Sequence, residues 1–313
     1  MFVKNKGKSF LSMAISLAII MLSLAVPINT QISASAETYP TPPEGITVWN
    51  GETEAIATDP GTNDYHIYTA EQLAYVLSNA QEWKSIYLEN DIYLSDLSYF
   101  NDWDVIEPDN NWIGNDNVSE FTHVSIYGNN HIIYGLFDYE EEGNVGLVHT
   151  NKTQGHLYFY NLGIDYAYIY GENASAFLGT MDTNNDGYCN VTFKNCFVGE
   201  NVTIVGTSRS GGFIGGYGWY GGIQTNGNMN FTNCYSLATV TGNDTRKGAF
   251  IGGNLCKNIK MEYCYTNQAV MFGNVAPYQV GKYGKVDPTI NYAPTVLKNY
   301  GYAYTTACPV GNM

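Results

Sequence analysis

Positive charge is scarce in this sequence. Lys and Arg number 14 against 29 Asp and Glu over 313 residues, and Arg209 and Arg246 are the only arginines. A formal charge of −15 rules against nucleic acid as a partner, because phosphate binding depends on clustered cations. The six cysteines form no C-x-x-C pair, which argues against a zinc knuckle or a dithiol redox centre. The five histidines supply no His-Glu-x-x-His, and no Gly-x-Ser-x-Gly elbow exists, so neither a zincin nor an α/β-hydrolase site is written here. Charged residues make up only 14 %, too few for a coiled coil or a disordered acidic tail, while 44 % hydrophobic content is enough to bury a core. The chain is rich instead in glycine (33), asparagine (34) and tyrosine (27), a composition of turns and half-buried strands. An all-β fold is expected.

The N-terminus reads as a targeting segment. Lys4, Lys6 and Lys8 precede an apolar run from Phe10 to Val26, and Ala34-Ser35-Ala36 offers small residues at signal-peptidase spacing. Residues 1–36 are therefore expected to be a signal peptide cleaved before Glu37. The alternative is an uncleaved anchor, since 17 apolar residues lie at the lower limit for spanning a bilayer. Cleavage leaves 11 basic and 29 acidic residues, a formal charge of −18, on a secreted or surface-associated chain with no stable membrane insertion. Residues 37–45 form a Pro-rich, polyproline-like leader, and 46–313 a single domain.

Within that domain Thr69-Ala70-Glu71-Gln72 reads as a helix start, with Thr69 capping and Gln72 reaching back, and Leu73, Val76, Leu77 and Ala80 line one face. Short strands are expected at Ser85–Leu88 and Ile92–Leu94, around a Glu89-Asn90-Asp91 turn. From about residue 120 to 275 the sequence repeats. Ala176-Phe177-Leu178-Gly179, Gly212-Phe213-Ile214-Gly215 and Ala249-Phe250-Ile251-Gly252 are copies of one motif, with phenylalanine intervals of 36 and 37 residues. Val145-Gly146-Leu147-Val148 reads as an earlier, weaker copy. A second motif keeps step: Phe159-Tyr160-Asn161-Leu162, Phe193-Lys194-Asn195-Cys196, Phe231-Thr232-Asn233-Cys234 and Met261-Glu262-Tyr263-Cys264. Between the two lie strands ending in glycine, Ala167–Gly171, Val202–Gly206 and Thr239–Gly242.

Units this short cover their apolar side only by stacking, which predicts a parallel β-helix (a solenoid) with a short N-terminal capping helix. Phe177, Phe213 and Phe250 should stack inside, and Asn161, Asn195 and Asn233 should form an amide ladder at a corner. The glycines are expected to mark corners, where positive φ is needed and where no side chain may obstruct the neighbouring coil. Cys196, Cys234 and Cys264 would lie one above another at about 4.8 Å, poor geometry for a disulfide, and are read as buried thiols. Cys189, Cys256 and Cys308 fall outside the register, so a bridge such as Cys189 to Cys308 stays open.

The opening stretch Tyr68-Thr69-Ala70-Glu71-Gln72-Leu73-Ala74, the strand Asn90-Asp91-Ile92-Tyr93-Leu94, Ile126-Tyr127-Gly128-Asn129-Asn130-His131-Ile132-Ile133 with Gly135-Leu136-Phe137, and the Gly-Phe-Ile-Gly repeats resemble bacterial secreted β-helix proteins with GLUG-type repeats. The resemblance spans roughly residues 60–275. It implies a solenoid that is exported or held at a cell surface, and implies little about chemistry.

Two insertions interrupt the repeat. Gly216-Tyr217-Gly218-Trp219-Tyr220-Gly221 matches G-x-G-x-x-G, but no strand–helix unit surrounds it to hold a pyrophosphate. Tyr217, Trp219 and Tyr220 are instead candidate ligand-binding aromatics, or else rings that fold back onto neighbouring coils. Asp182-Thr183-Asn184-Asn185-Asp186-Gly187 copies the first half of a calcium loop, yet Phe193 stands where the bidentate Glu belongs. Asp182, Asn184 and Asp186 could hold Ca2+, or simply form an Asx-rich turn, and no other cofactor is expected. Acidic pairs such as Asp102/Asp104 and the run Glu140-Glu141-Glu142 keep a carboxylate-dependent enzyme open, although polygalacturonase-like and pectin-esterase-like motifs are absent. The leading expectation is a binding or adhesion protein for a polysaccharide or cell-surface glycoprotein. A polysaccharide lyase or glycoside hydrolase is the alternative, and a purely structural surface protein the second alternative.

Overall fold

The computed structural model describes residues 39–275 except 57, 60, 80–83, 101–110, 113–122, 152–154, 182–188, 218–224, 243–245, 255 and 269–271. The chain divides into two units, Met1–Pro40 and Thr41–Met313, and all described residues but Tyr39 and Pro40 belong to the second. The expected C-terminal part beyond Ala276, the signal segment and Cys308 lie outside the described residues.

The second unit is an all-parallel β-solenoid with one α-helix near its N-terminus. Four sheets run along it. Sheet I holds seven strands, Asp64–Ile67, Ser85–Leu88, Val124–Tyr127, Gly155–Tyr160, Cys189–Lys194, Thr225–Thr232 and Cys256–Glu262. Sheet II holds six short ones, Ile92–Tyr93, Ile132–Tyr134, Gly163–Asp165, Phe197–Val198, Tyr235–Ser236 and Tyr265–Thr266. Sheet III comprises Phe137–Val145, Ala167–Ser175, Val202–Gly211, Thr239–Gly242 and Lys247–Gly248. Sheet IV comprises Val148–Asn151, Leu178–Met181, Ile214–Tyr217, Ile251–Asn254 and Phe272–Val275. The chain passes through them in the order I, II, III, IV and returns to I. The solenoid thus begins well before residue 120, because Asp64–Ile67 and Ser85–Leu88 already belong to sheet I.

The connection from sheet III to sheet IV keeps a constant length, and that from sheet I to sheet II shortens from three residues at 89–91 and four at 128–131 to two in the later coils. Two residues join sheet I to sheet II at Asn161-Leu162, Asn195-Cys196, Asn233-Cys234 and Tyr263-Cys264, and two join sheet III to sheet IV at Gly146-Leu147, Ala176-Phe177, Gly212-Phe213 and Ala249-Phe250. At the first corner the asparagines adopt φ of 52°, 56° and 52°, and Tyr263 takes 57°. Asparagine tolerates this left-handed geometry better than most residues. Its amide also bonds along the stack, Asn195 Nδ2 donating to Asn161 Oδ1 (2.7 Å) and Asn233 Nδ2 to Asn195 Oδ1 (3.1 Å). The expected ladder is present, and it ends where Tyr263 replaces asparagine.

Of the two reasons expected for the glycines, close approach and not torsion holds at the phenylalanine repeats. Gly179, Gly215 and Gly252 lack positive φ. Each faces backbone across the arch between sheets III and IV: a Cβ on Gly215 would stand 2.7 Å from the Gly179 oxygen and 2.8 Å from the Ala174 nitrogen. They are there for close approach of two layers. Nor do the strands at Ala167 and Val202 stop at Gly171 and Gly206; they shift register there and continue to Ser175 and Gly211. Only Thr239–Gly242 ends as expected, with Gly242 at φ +126°.

The interior is one continuous apolar core. Phe177, Phe213 and Phe250 stack at 5.1 and 4.9 Å, and a second column, Phe159, Phe193 and Phe231, stacks at 4.9 and 5.1 Å edge-on to the first. Cys196, Cys234 and Cys264 are free and buried beside them, and burial pushes the Cys234 and Cys264 thiols well up. The helix α1, Ala70–Asn79, joins this core through Ala70, Leu73, Ala74, Val76 and Leu77. Gln72 N–H donates to Thr69 Oγ1, and Gln72 Oε1 accepts from the Tyr68 N–H, a cap one residue wider than the box predicted. In an early coil the core admits a polar pair: buried Asp138 accepts from the Gly146 N–H (2.7 Å) and lies 2.9 Å from His149 Nε2.

Candidate functional site

Sheet I alternates strictly, so Ile126, Leu157 and Phe159 point inward while Ser125, Tyr127, His156, Tyr158 and Tyr160 face out. Parallel in-register pairing then sets outward residues of successive coils side by side. His66, Tyr87, Tyr127 and Tyr160 form one column, stacked at 5.2, 4.8 and 5.1 Å. Within such a column each ring covers its neighbour's face, so solvent meets ring edges and phenol hydroxyls.

Tyr158 is placed otherwise. Its own column reads Ser85, Ser125, Tyr158, Thr192 and Asn230, so its ring is flanked by a serine and a threonine rather than by further rings. Across the strand it runs parallel to Tyr160 (5.9 Å, 8°) and His156 (5.7 Å, 7°). Register thus sets the Tyr158 ring beside a row of hydroxyls at Ser125 and Ser85, with Tyr127 and His123 two residues to either side of Ser125. His123 packs against His156 at 4.9 Å, and burial, then the His123 charge, pulls the His156 imidazole down.

At the head of the column His66 sits between two carboxylates, with Nδ1 2.6 Å from Glu89 Oε1 and Nε2 3.3 Å from Asp59 Oδ2. The Glu89 hydrogen bond raises its pKa against the opposing effect of burial, with Asp59 helping. No sequence motif announces this cluster, because Asp59, His66 and Glu89 lie in three separate segments. The tyrosine column was missed for a related reason. Tyr87, Tyr127 and Tyr160 are spaced 40 and 33 residues apart, unequal because segments of different length intervene.

Of the residues singled out by sequence, Tyr217 closes the strand Ile214–Tyr217 and pairs with Met181. Trp219, Tyr220, Asp182, Asn184 and Asp186 lie outside the described residues, as does the Asp102/Asp104 pair. The pairing of Met181 with Tyr217 nevertheless means that the aromatic and Asx-rich segments leave sheet IV from adjacent strand ends, and both re-enter at sheet I, at Thr225 and Cys189. The segments between sheets IV and I hold three, seven, seven and one residues in successive coils. Glu140, Glu141 and Glu142 are exposed on sheet III. Among the described residues no three His, Cys, Asp or Glu side chains group as metal ligands, and no helix is long and apolar enough to cross a membrane.

No family model matches the chain, and no curated protein matches it. Among solved structures it is similar to a putative immunoglobulin A1 protease from Bacteroides ovatus, at 13 % identity and a TM-score of 0.36, over 70 % of this chain and 84 % of that one.

Proposed function

We propose that this solenoid is an exported binding protein, of the GLUG-repeat kind its motifs resemble, that recognises a polysaccharide or a cell-surface glycan. The observation that carries the reading is Tyr158. Its ring stands beside a row of serine hydroxyls, and a pyranose needs that pairing, an apolar wall for its C–H face and hydroxyl partners for its edge. The long flat side of a solenoid extends such a site along a polymer without a deep pocket. Tyr217, Trp219 and Tyr220, the aromatics singled out in the sequence, are proposed as further contacts to the same polymer.

The test mixes the purified chain with a panel of soluble and insoluble polysaccharides, with and without calcium, following protein depletion and new reducing or unsaturated ends together. Retention on at least one polymer, weakened about tenfold or more by Tyr158→Ala, is expected, as loss of a stacking ring costs on the order of 1 kcal/mol or more. Retention unchanged in Tyr158→Ala, or absent on every polymer, overturns the reading. A second reading, a polysaccharide-degrading enzyme, is favoured by His66 held between Asp59 and Glu89 beside the same face, an arrangement suited to proton transfer. New chain ends that vanish in His66→Gln would establish it.

A further inference from the structure

The two arginines of the chain occupy one column. Sheet III pairs Asn144 with Asn173 and Asn173 with Arg209, and the next pairing, Ser210 with Lys247, sets Arg246 beside Arg209 in the following coil. In the early coils the column satisfies itself: Asn173 Nδ2 donates to Asn144 Oδ1 (2.7 Å), and Arg209 Nη1 donates to Asn173 Oδ1 (3.0 Å). From Arg209 onward the column carries like charges side by side. Among the described residues neither arginine has a carboxylate within ion-pair distance. In a chain with twice as many acids as bases, two neighbouring guanidinium groups with no carboxylate at ion-pair distance among the described residues run against the average composition.

The seat for this pair is built into the repeat. The Arg209 side chain lies along Gly216 and Gly253 of sheet IV, where a Cβ on Gly253 would stand 2.5 Å from Arg209 Cδ and 2.8 Å from Nε, and a Cβ on Gly216 3.0 Å from Cδ. Two successive glycine positions therefore leave the room that the arginine fills. Burial, then the charge of Arg246, pulls the Arg209 guanidinium down from its ordinary range, against a weaker opposing effect from Glu172. Both features describe a partly desolvated cationic spot awaiting an anion. Gly216 directly precedes Tyr217, so the spot lies at the end of the strand Ile214–Tyr217.

We propose that Arg209, positioned by Asn173 and by the Gly216/Gly253 floor, and Arg246 in the following coil form a subsite for the carboxylate of an acidic sugar. A planar guanidinium fork matches a planar carboxylate in two parallel hydrogen bonds, and a second guanidinium one coil away completes the neutralisation. This deepens the glycan reading above by naming its ligand as a uronic-acid-bearing polymer, and rests on that reading for the polymer alone.

The test uses the full chain with two pairs of probes. D-galacturonate is compared with D-galactose by thermal unfolding, and polygalacturonate with its methyl ester by retention. Galacturonate at tenfold above its dissociation constant should raise Tm by about 3 °C or more, with no rise from galactose. Arg246→Gln, whose side chain makes no hydrogen bond among the described residues, should abolish that rise and cut polygalacturonate retention about tenfold. Arg209→Gln should do the same. An equal rise with galactose, or a rise undiminished in Arg246→Gln, overturns the subsite. Tyr158→Ala distinguishes the two proposals: it should weaken polymer retention and leave the galacturonate shift intact. A shift that depends on Arg246, without retention on any polymer, would sink the glycan reading and leave the anion subsite standing.

Discussion

Replacing Phe213 by alanine probes the interior most directly. Its ring stacks on Phe177 (5.1 Å) and Phe250 (4.9 Å) and meets Phe193 (5.1 Å) and Phe231 (5.6 Å) edge-on, and it is fully buried. Phe250, equally buried, has one stacked and one edge-on partner among the described residues, Phe213 and Phe231. Truncating a buried phenylalanine costs about 3–5 kcal/mol, and each aromatic pair adds about 0.5–1.5 kcal/mol beyond burial. Phe213 has two more pairs to lose than Phe250, so Phe213→Ala should cost about 1–3 kcal/mol more than Phe250→Ala. Each loss is a large share of a typical total stability of about 5–15 kcal/mol. Urea unfolding followed by far-UV circular dichroism measures both, with a lowered midpoint and an unchanged slope expected if the solenoid still unfolds as one unit. Equal losses for the two variants, or a Phe213→Ala loss under about 1 kcal/mol, would refute the coil-to-coil stacking account.

Three further outcomes follow from the same geometry. Gly215→Ala should destabilise by about 1–3 kcal/mol in the same assay, because its Cβ meets backbone on two sides; a gain, as expected for an unobstructed Gly→Ala change, would remove the close approach of sheets III and IV. Asn195→Gly keeps access to φ 56° and should lose about 1–2 kcal/mol of amide bonding, whereas Asn195→Ala should lose about 1 kcal/mol more from backbone strain, and the reverse order would refute the left-handed corner. His66 should titrate above its ordinary value of 6.5, followed by its ring-proton NMR shifts. Because the folded pKa is raised, its stabilising effect is fully present below 6.5 and fades as pH climbs through the folded value. Glu89→Gln should bring the titration back down, and an unmoved midpoint would discard the Glu89 hydrogen bond as its cause.

What could be read from sequence depended on whether a residue's role recurs at a fixed interval. Phe177, Phe213 and Phe250 lie 36 and 37 residues apart, and the helix announces itself by its cap and its apolar face, so solenoid, Phe stack and Asn ladder were all legible. Of sheet II only the first strand, at Ile92–Tyr93, was read, since the others are two or three residues long and too short to show a period. The glycines were read with torsion and proximity as joint reasons, because sequence records a missing side chain without saying which of the two demands it. Tyr158 and the arginine column became visible only through register, which decides whether a ring or a charge has a like neighbour in the next coil.

The contrast between connections has an evolutionary consequence. The two-residue corner from sheet III to sheet IV is the same in four coils, while the passage from sheet IV to sheet I varies between one and seven residues without disturbing the coil register. One chain thus combines a turn of fixed length with a passage of free length. New recognition segments could be recruited, or grafted by design, at that passage, with the inheritance of the fold left untouched.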